Sequence, residues 1–181
     1  NQGSGDVPWF GRDTPLAIER LGFLREAVGP LMAAAVAACD EPVDVLSLAS
    51  QAVAMGDDVH VRTQAASNLL LRTLLPWLMA SEHPRRSEVA RFLSANHLLF
   101  LTVAMAAART LTDWAGQVTG SSIVTSMARN GTTYGVRLPG GAPWFTSPAP
   151  PVGRALFHPG YGPDDGAPDI GDSAVLELVG L

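Results

Sequence analysis

The sequence predicts an α+β protein, mainly helical over its first two thirds, followed by a small antiparallel β-hairpin and a loop-rich region. Three observations predict it. Apolar residues recur at helical spacing from about residue 14 to 115. Composition then shifts: 12 of the 18 glycines and 8 of the 14 prolines fall in the last 66 of 181 residues, which places the loops there. Finally, Asn130-Gly131 separates two strand-like runs, the strongest short-range hairpin signal. The expected organisation is a helical region, 1–115, and a hairpin and Gly/Pro/Asp-rich loop region, 116–181, packed as one unit.

Thr14 followed by Pro15 reads as an N-cap with proline at the first helical position. Ile18, Leu21, Leu24 and Val28 then share a face, and Gly29-Pro30 breaks or kinks the helix before Leu31 to Ala38. Asp44 can cap a helix from Val45 to Met55. A long helix is expected from Val61 to Met79, kinked near Pro76, and a short one from Ser87. Asn96 to Ala115 is apolar on nearly all sides, which predicts the buried central helix. Beyond Gly116, Ser122 to Ala128 and Thr133 to Leu138 read as paired strands across Arg129-Asn130-Gly131-Thr132. Trp144 to Ser147 and Leu156 to His158 are further short strands, and a final helix starts at Asp172.

All 12 cationic residues are arginine. A Schiff-base lysine, a pyridoxal-phosphate anchor and a phosphate-loop lysine are therefore excluded. Anions must be met by arginine, backbone N–H groups or a metal. The net charge of −5 and the absence of a basic stripe argue against nucleic acid as a partner. Hydrophobic content is 47% against 16% charged, the composition of a core-rich or subunit-like chain. One cysteine, Cys39, cannot form an internal disulfide, which suits a reducing, cytoplasmic setting. The longest apolar run, Leu98 to Ala108, falls short of the ~20 residues of a membrane span, so no membrane partner is expected. The chain opens on Asn1 without a methionine or an apolar leader, as a fragment, a processed chain or a trimmed one would.

Four windows hold candidate chemistry. In Met55-Gly56-Asp57-Asp58-Val59-His60-Val61-Arg62, His60 is a candidate acid/base and Arg62 a bidentate anion fork; an aspartate N-cap with a local Asp–Arg pair is the structural alternative. Asn96-His97 offers an amide and an imidazole, or simply an N-cap and a satisfied core histidine. Around Thr125, Arg129 and Asn130, a hairpin tip can cradle an anion, or be an ordinary type I′ turn. Finally, Asp164, Asp165, Asp169 and Asp172 sit within nine residues. Their spacing does not fit an EF-hand, and Asx-turns with an Asp172 N-cap account for most of it, although Mg²⁺ or Ca²⁺ at Asp164, Asp165 and Asp169 stays open. No other cofactor is expected. No serine-hydrolase elbow, zinc-protease helix, Cys/His zinc spacing or dinucleotide glycine motif is present.

Taken in order, these windows resemble the AllG-type subunit family of oxamate carbamoyltransferase. The likeness runs through Met55-Gly56-Asp57-Asp58 with His60 and Arg62, Phe92-Leu93 with Asn96, and Met105-Ala106-Ala107-Ala108. It continues through Met127-Ala128-Arg129-Asn130-Gly131, Trp144-Phe145-Thr146, Pro159-Gly160-Tyr161 and Pro168-Asp169-Ile170-Gly171-Asp172-Ser173. Arg109 departs from the lysine that relatives often carry, and family members are much longer. The resemblance implies a multi-subunit transferase of allantoin catabolism that moves a carbamoyl group between phosphate and the amide nitrogen of oxamate. It implies partners that are a small anionic substrate and other subunits, or the remainder of a longer chain. His60, Arg62, Arg129 and Asn130 are then the catalytic candidates. Asp58, Asn96, Thr125, Asp169 and Asp172 are the substrate-binding ones. Alternatives are a non-catalytic scaffold subunit, favoured by the low charged fraction, and an amide-bond enzyme of secondary metabolism.

Overall fold

The structure, a computed structural model, describes residues 14–129, 132–149, 159 and 174–181. It is α+β: six helices followed by a three-stranded antiparallel sheet and a short last helix. Two compact units divide within the sixth helix, between Ala104 and Met105.

In the first unit, Thr14 caps α1 (Pro15–Phe23) by accepting from the Ala17 N–H at 3.3 Å. The helix is not broken at Gly29-Pro30. A π-helical turn, Leu24–Val28, leads directly into α2 (Gly29–Ala38), and the Gly29 N–H donates to the Leu24 carbonyl five residues back. Pro30 has no N–H and its ring clashes with the carbonyl four residues earlier, and the wider turn accommodates it within a continuous helix. The extra residue also shifts the phase of the buried face. Ile18 and Leu21 are exposed, contrary to the sequence expectation; Val28 of the expected face is buried, together with Ala17, Ala27, Leu31 and Ala35. Phe23 meets Phe92 edge-on at 5.4 Å, with the Arg85 guanidinium 4.6 Å from the Phe23 ring centre.

Asp44 caps α3 (Val45–Ala54) through the Ser47 N–H at 2.9 Å. Next comes α4 (Gln64–Ala80), starting three residues later than expected because the preceding residues form a closed loop. It buries Ala66, Ser67, Leu70, Leu74 and Leu78 at close to four-residue spacing and packs against α2, α3 and α5 (Arg86–Ala95). Thus α4 is the central helix of this unit. The expected one, α6 (Leu99–Ala115), buries only the stripe Leu99, Phe100, Ala104, Ala108 and Thr112 and leaves Leu111 and Trp114 exposed. Much of its apolar character is alanine, which sits in water at little cost, so an apolar circumference overstated its burial.

By length and composition, Pro15–Ala38 is apolar enough to cross a membrane, a property shared with core helices of soluble proteins. The expectation of no span counted only uninterrupted apolar runs. Here α2 packs on α4 through Leu31 and Ala35.

In the second unit, β1 (Ser126–Arg129), β2 (Thr133–Arg137) and β3 (Phe145–Pro148) form a sheet in that order, with Ser126 opposite Arg137 and Arg129 opposite Tyr134. This register leaves residues 130–133 between the paired ends, where the sequence reading placed the connection at residues 129–132. Gly135 in the middle strand sits at a close approach: a Cβ there would meet Trp144 Cε3 at 3.1 Å and Thr146 Cγ2 at 3.3 Å, so a larger residue would need those side chains to shift. The closing helix α7 (Ala174–Glu177) packs near β1. The expected strand at Leu156 to His158 and the Asp172 cap lie outside the described residues.

Candidate functional site

In the first unit, Asp57, Asp58, His60 and Arg62 share one loop, and the two aspartates frame it. Asp57 Oδ2 accepts from the Ala66 N–H at 2.8 Å, joining the loop to the first turn of α4. Asp58 Oδ1 accepts from the N–H groups of His60, Val61 and Arg62 at 3.0, 2.9 and 2.8 Å. Its Oδ2 accepts from Arg62 Nε at 3.2 Å. The Arg62 N–H, foremost among these bonds, lowers the Asp58 carboxyl to about 2. The Arg62 carbonyl accepts from the N–H groups of Asp58 and Val59, which closes the loop. Val59 holds a left-handed φ of 54° and is buried, an unusual conformation for a β-branched residue. Both Asp58 oxygens are thus engaged by the loop itself. The Arg62 side chain projects into solvent with 71% of its surface exposed, and His60 is half-buried.

Asn96 is buried at the turn between α5 and α6, where its Oδ1 accepts from the Leu98 N–H at 3.2 Å. Its neighbour His97 is exposed, not a core histidine. What binds is the His97 carbonyl, which accepts from Thr63 Oγ1 and from Ser67 Oγ. Ser67 Oγ in turn accepts from the Phe100 N–H at 3.0 Å. Thr63 and Ser67, four residues apart on one face at the start of α4, therefore hold the loop beside the Asn96 turn. Sequence reasoning missed them; the Thr/Ser spacing on a helix entry was the available signal.

In the second unit, Thr125 is buried, and both its N–H and its hydroxyl donate to the Arg137 carbonyl, at 2.9 and 3.2 Å. Ser126 Oγ accepts from Arg109 Nη1 at 3.1 Å. Arg109 also forms a two-point pair with Asp113, Nε to Oδ2 at 3.0 Å and Nη2 to Oδ1 at 2.7 Å. Thr112, Gly116, Gln117, Leu138 and Gly141 complete a polar pocket of about 190 Å³ with Asp113, Thr125, Ser126 and Arg137. Of its lining, only Thr125 was a sequence candidate. Arg129 ends β1, half-buried, opposite Tyr134.

Asp58, His60 and Arg62 are thus brought together, with Asn96 in the same unit. Thr125 and Arg129 belong to the second unit. Asn130, Asp164, Asp165, Asp169 and Asp172 lie outside the described residues. Among the described residues no group of three His, Cys, Asp or Glu side chains is placed to hold a metal ion.

Comparison with known proteins matches residues 1–173 to the family described as oxamate carbamoyltransferase subunit AllG. The chain is 36% identical to the Escherichia coli K12 protein of that name over 184 aligned positions, covering 100% of this chain and 44% of the relative. It is 34% identical to the E. coli K12 uncharacterized protein YahG, covering 95% of this chain and 37% of the relative. The crystal structure of a conserved protein of unknown function from Enterococcus faecalis V583 superposes with a TM-score of 0.78 at 37% identity. That match covers 93% of this chain and 41% of the other. The chain spans less than half the length of the curated relatives it matches. It belongs to the AllG family.

Proposed function

We propose that the chain is part of a carbamoyltransferase subunit that acts in the cytoplasm with other subunits, moving a carbamoyl group between phosphate and the amide nitrogen of oxamate. The family match over residues 1–173 carries this reading. The chemistry fits an arginine-only chain: the substrates are small, planar and anionic, which suits guanidinium forks. In the degradative direction phosphate attacks the carbamoyl carbon of oxalurate, and oxamate leaves with a proton on its amide nitrogen. In the first unit Arg62 holds an anion, His60 polarises the carbonyl or moves the proton, and Asn96 orients the substrate; in the second, Arg129 and Asn130 are the anion-holding and orienting candidates. Asp58 contributes by shaping the loop that presents His60 and Arg62. Such a site works by orientation and charge stabilisation and needs no lysine nucleophile.

The test uses Arg62→Ala and Arg129→Ala variants, checked for folding by circular dichroism and assayed with the partner subunits for carbamoyl phosphate formation from oxalurate and phosphate. Loss of rate in either is expected; wild-type rates in both would sink the proposal. A second reading, a non-catalytic partner-binding subunit, is favoured by exposed apolar side chains such as Met55, Val61 and Trp114. Native mass spectrometry that finds the chain monomeric and active alone excludes it.

A further inference from the structure

We infer that the pocket beside Arg137 in the second unit is a binding site for a small oxyanion, a phosphate or a carboxylate. Its 190 Å³ holds about six waters at ~30 Å³ each, and lies below the ~300–1,000 Å³ of pockets for larger organic ligands. A nucleotide or sugar phosphate is too large for it. The size matches phosphate or a two-carbon oxo acid.

The sign of the ligand follows from the side chains. Arg109 engages both oxygens of Asp113, so the only carboxylate among the described lining residues is already neutralised. Arg137 takes part in none of the ion pairs formed among the described residues. The described lining residues therefore carry one net positive charge, that of Arg137, a half-buried residue whose guanidinium offers five donors in a fork suited to an oxyanion. Ser126 and Arg137 are directly opposed in the β1–β2 register, which puts their side chains on one face. Because Ser126 Oγ already accepts from Arg109, its own O–H is left available to donate. Gln117 adds an amide at the exposed rim.

The Arg137 backbone is also fixed in advance. Its carbonyl receives both donors of buried Thr125, and its strand is the middle one of the sheet. A held backbone spares the backbone share of the ordering cost when the guanidinium closes on a ligand, leaving the side-chain share. The inference is independent of the carbamoyl-transfer reading, since it needs only a ligand with a small oxyanion.

The experiment is a nuclear magnetic resonance titration of the full chain with inorganic phosphate and, separately, with oxamate. Saturable shifts of the Thr125, Ser126 and Gln117 signals are expected. Saturation by phosphate alone or by oxamate alone tells which source the site takes. Arg137→Gln should weaken binding by at least about tenfold, the loss of charge-assisted hydrogen bonds. Arg137→Lys should weaken it less, and Arg72→Ala on α4 should leave it unchanged. Gln117→Ala, an exposed change that cannot unfold the sheet, should weaken it a few-fold and keeps the test open if Arg137→Gln misfolds. Shifts that grow linearly without saturation, or equal binding by the Arg137 and Gln117 variants, overturn the inference. Failed carbamoyl transfer with intact phosphate or oxamate binding removes only the proposed function.

Discussion

The two units bury different kinds of side chain. In the first, the interior is apolar: Leu31, Leu70, Leu74, Leu78, Leu93 and Phe100 are all at most 2% exposed. Its buried polar groups, Thr63, Ser67 and Asn96, each hold backbone in place. In the second, the buried side chains among the described residues include Thr112, Thr125 and Ser126 beside Ala108 and Leu176, and all three polar ones line a pocket. The first unit thus draws its stability from apolar burial. In the second, the Thr112 and Thr125 hydroxyls are engaged by backbone carbonyls and the Ser126 O–H is left beside the pocket, where the inferred ligand would add stability by mass action. Charge in a family-like sequence window is therefore a poor guide to charge available for a ligand: Asp57 and Asp58 hold their own loop, while Arg137, outside those windows, lines the pocket.

The largest effect expected is at the centre of the α4 stripe. Leu74→Ala removes a side chain that is 1% exposed between Leu70 and Leu78 and should cost about 2–5 kcal/mol in urea unfolding, because the cavity cannot fully collapse. Phe145→Ala on β3, half-exposed, should stay within about 0.5 kcal/mol. A Leu74→Ala cost as small as that of Phe145→Ala breaks the contrast between the units.

Polar groups give a finer comparison. Ser67→Ala removes a donor to the His97 carbonyl and the acceptor of the buried Phe100 N–H, so about 1–3 kcal/mol is expected. Thr125→Val also deletes a buried hydroxyl, but the Arg137 carbonyl keeps the Thr125 N–H, and the cost should be under about 1 kcal/mol. Equal costs in the same unfolding assay would show that both units use buried hydroxyls alike.

What was legible in the sequence was local. The Thr14-Pro15 start and the Asp44 cap act over three residues, so their chemistry is visible in a short window. Apolar periodicity located α3, α4 and α5 but did not rank them. That α4 and not α6 is central depends on which helices pack together, information that is not in one helix's pattern. The π turn escaped because a Gly-Pro pair signals trouble without saying how it is relieved. The Ser67–His97 contact joins residues 30 apart, and the Arg137 pocket depends on a strand register that the Asn-Gly signal set differently. His60 and Arg62 were found together because the loop closes on itself within five residues.

That loop makes a prediction of reversed sign. Val59 carries two opposing features, burial of its side chain and a left-handed backbone. Val59→Ala loses the burial and keeps the strain, whereas Val59→Gly loses the burial and relieves a strain of about 1–2 kcal/mol. Glycine should therefore be tolerated better than alanine by about 1 kcal/mol in thermal or urea unfolding, the reverse of the order in regular structure. If alanine is the milder change, the loop is not held in the left-handed conformation by its Asp58 bonds.

The smallest effect separates the units by pH. Asp58 is lowered to about 2 by the N–H groups it accepts from, so its folded carboxyl gives up a proton more readily than in the unfolded chain. The contribution of the carboxylate is fully present above about pH 4 and is lost as the pH falls towards 2, where the protonated group can no longer serve three donors as an anion. Asp44, lowered by the Ser47 N–H, loosens the start of α3 in the same direction. The amide signals of His60, Val61 and Arg62 should accordingly titrate together in the acid range, and that shared transition should vanish in Asp58→Asn. The Thr125 amide donates to a carbonyl, which does not titrate, and should hold its position over the same range. If Thr125 moved with the loop, the polar interior of the second unit would owe its order to a carboxylate as the loop does, and the distinction between a carboxylate-held and a carbonyl-held backbone would fail at that point.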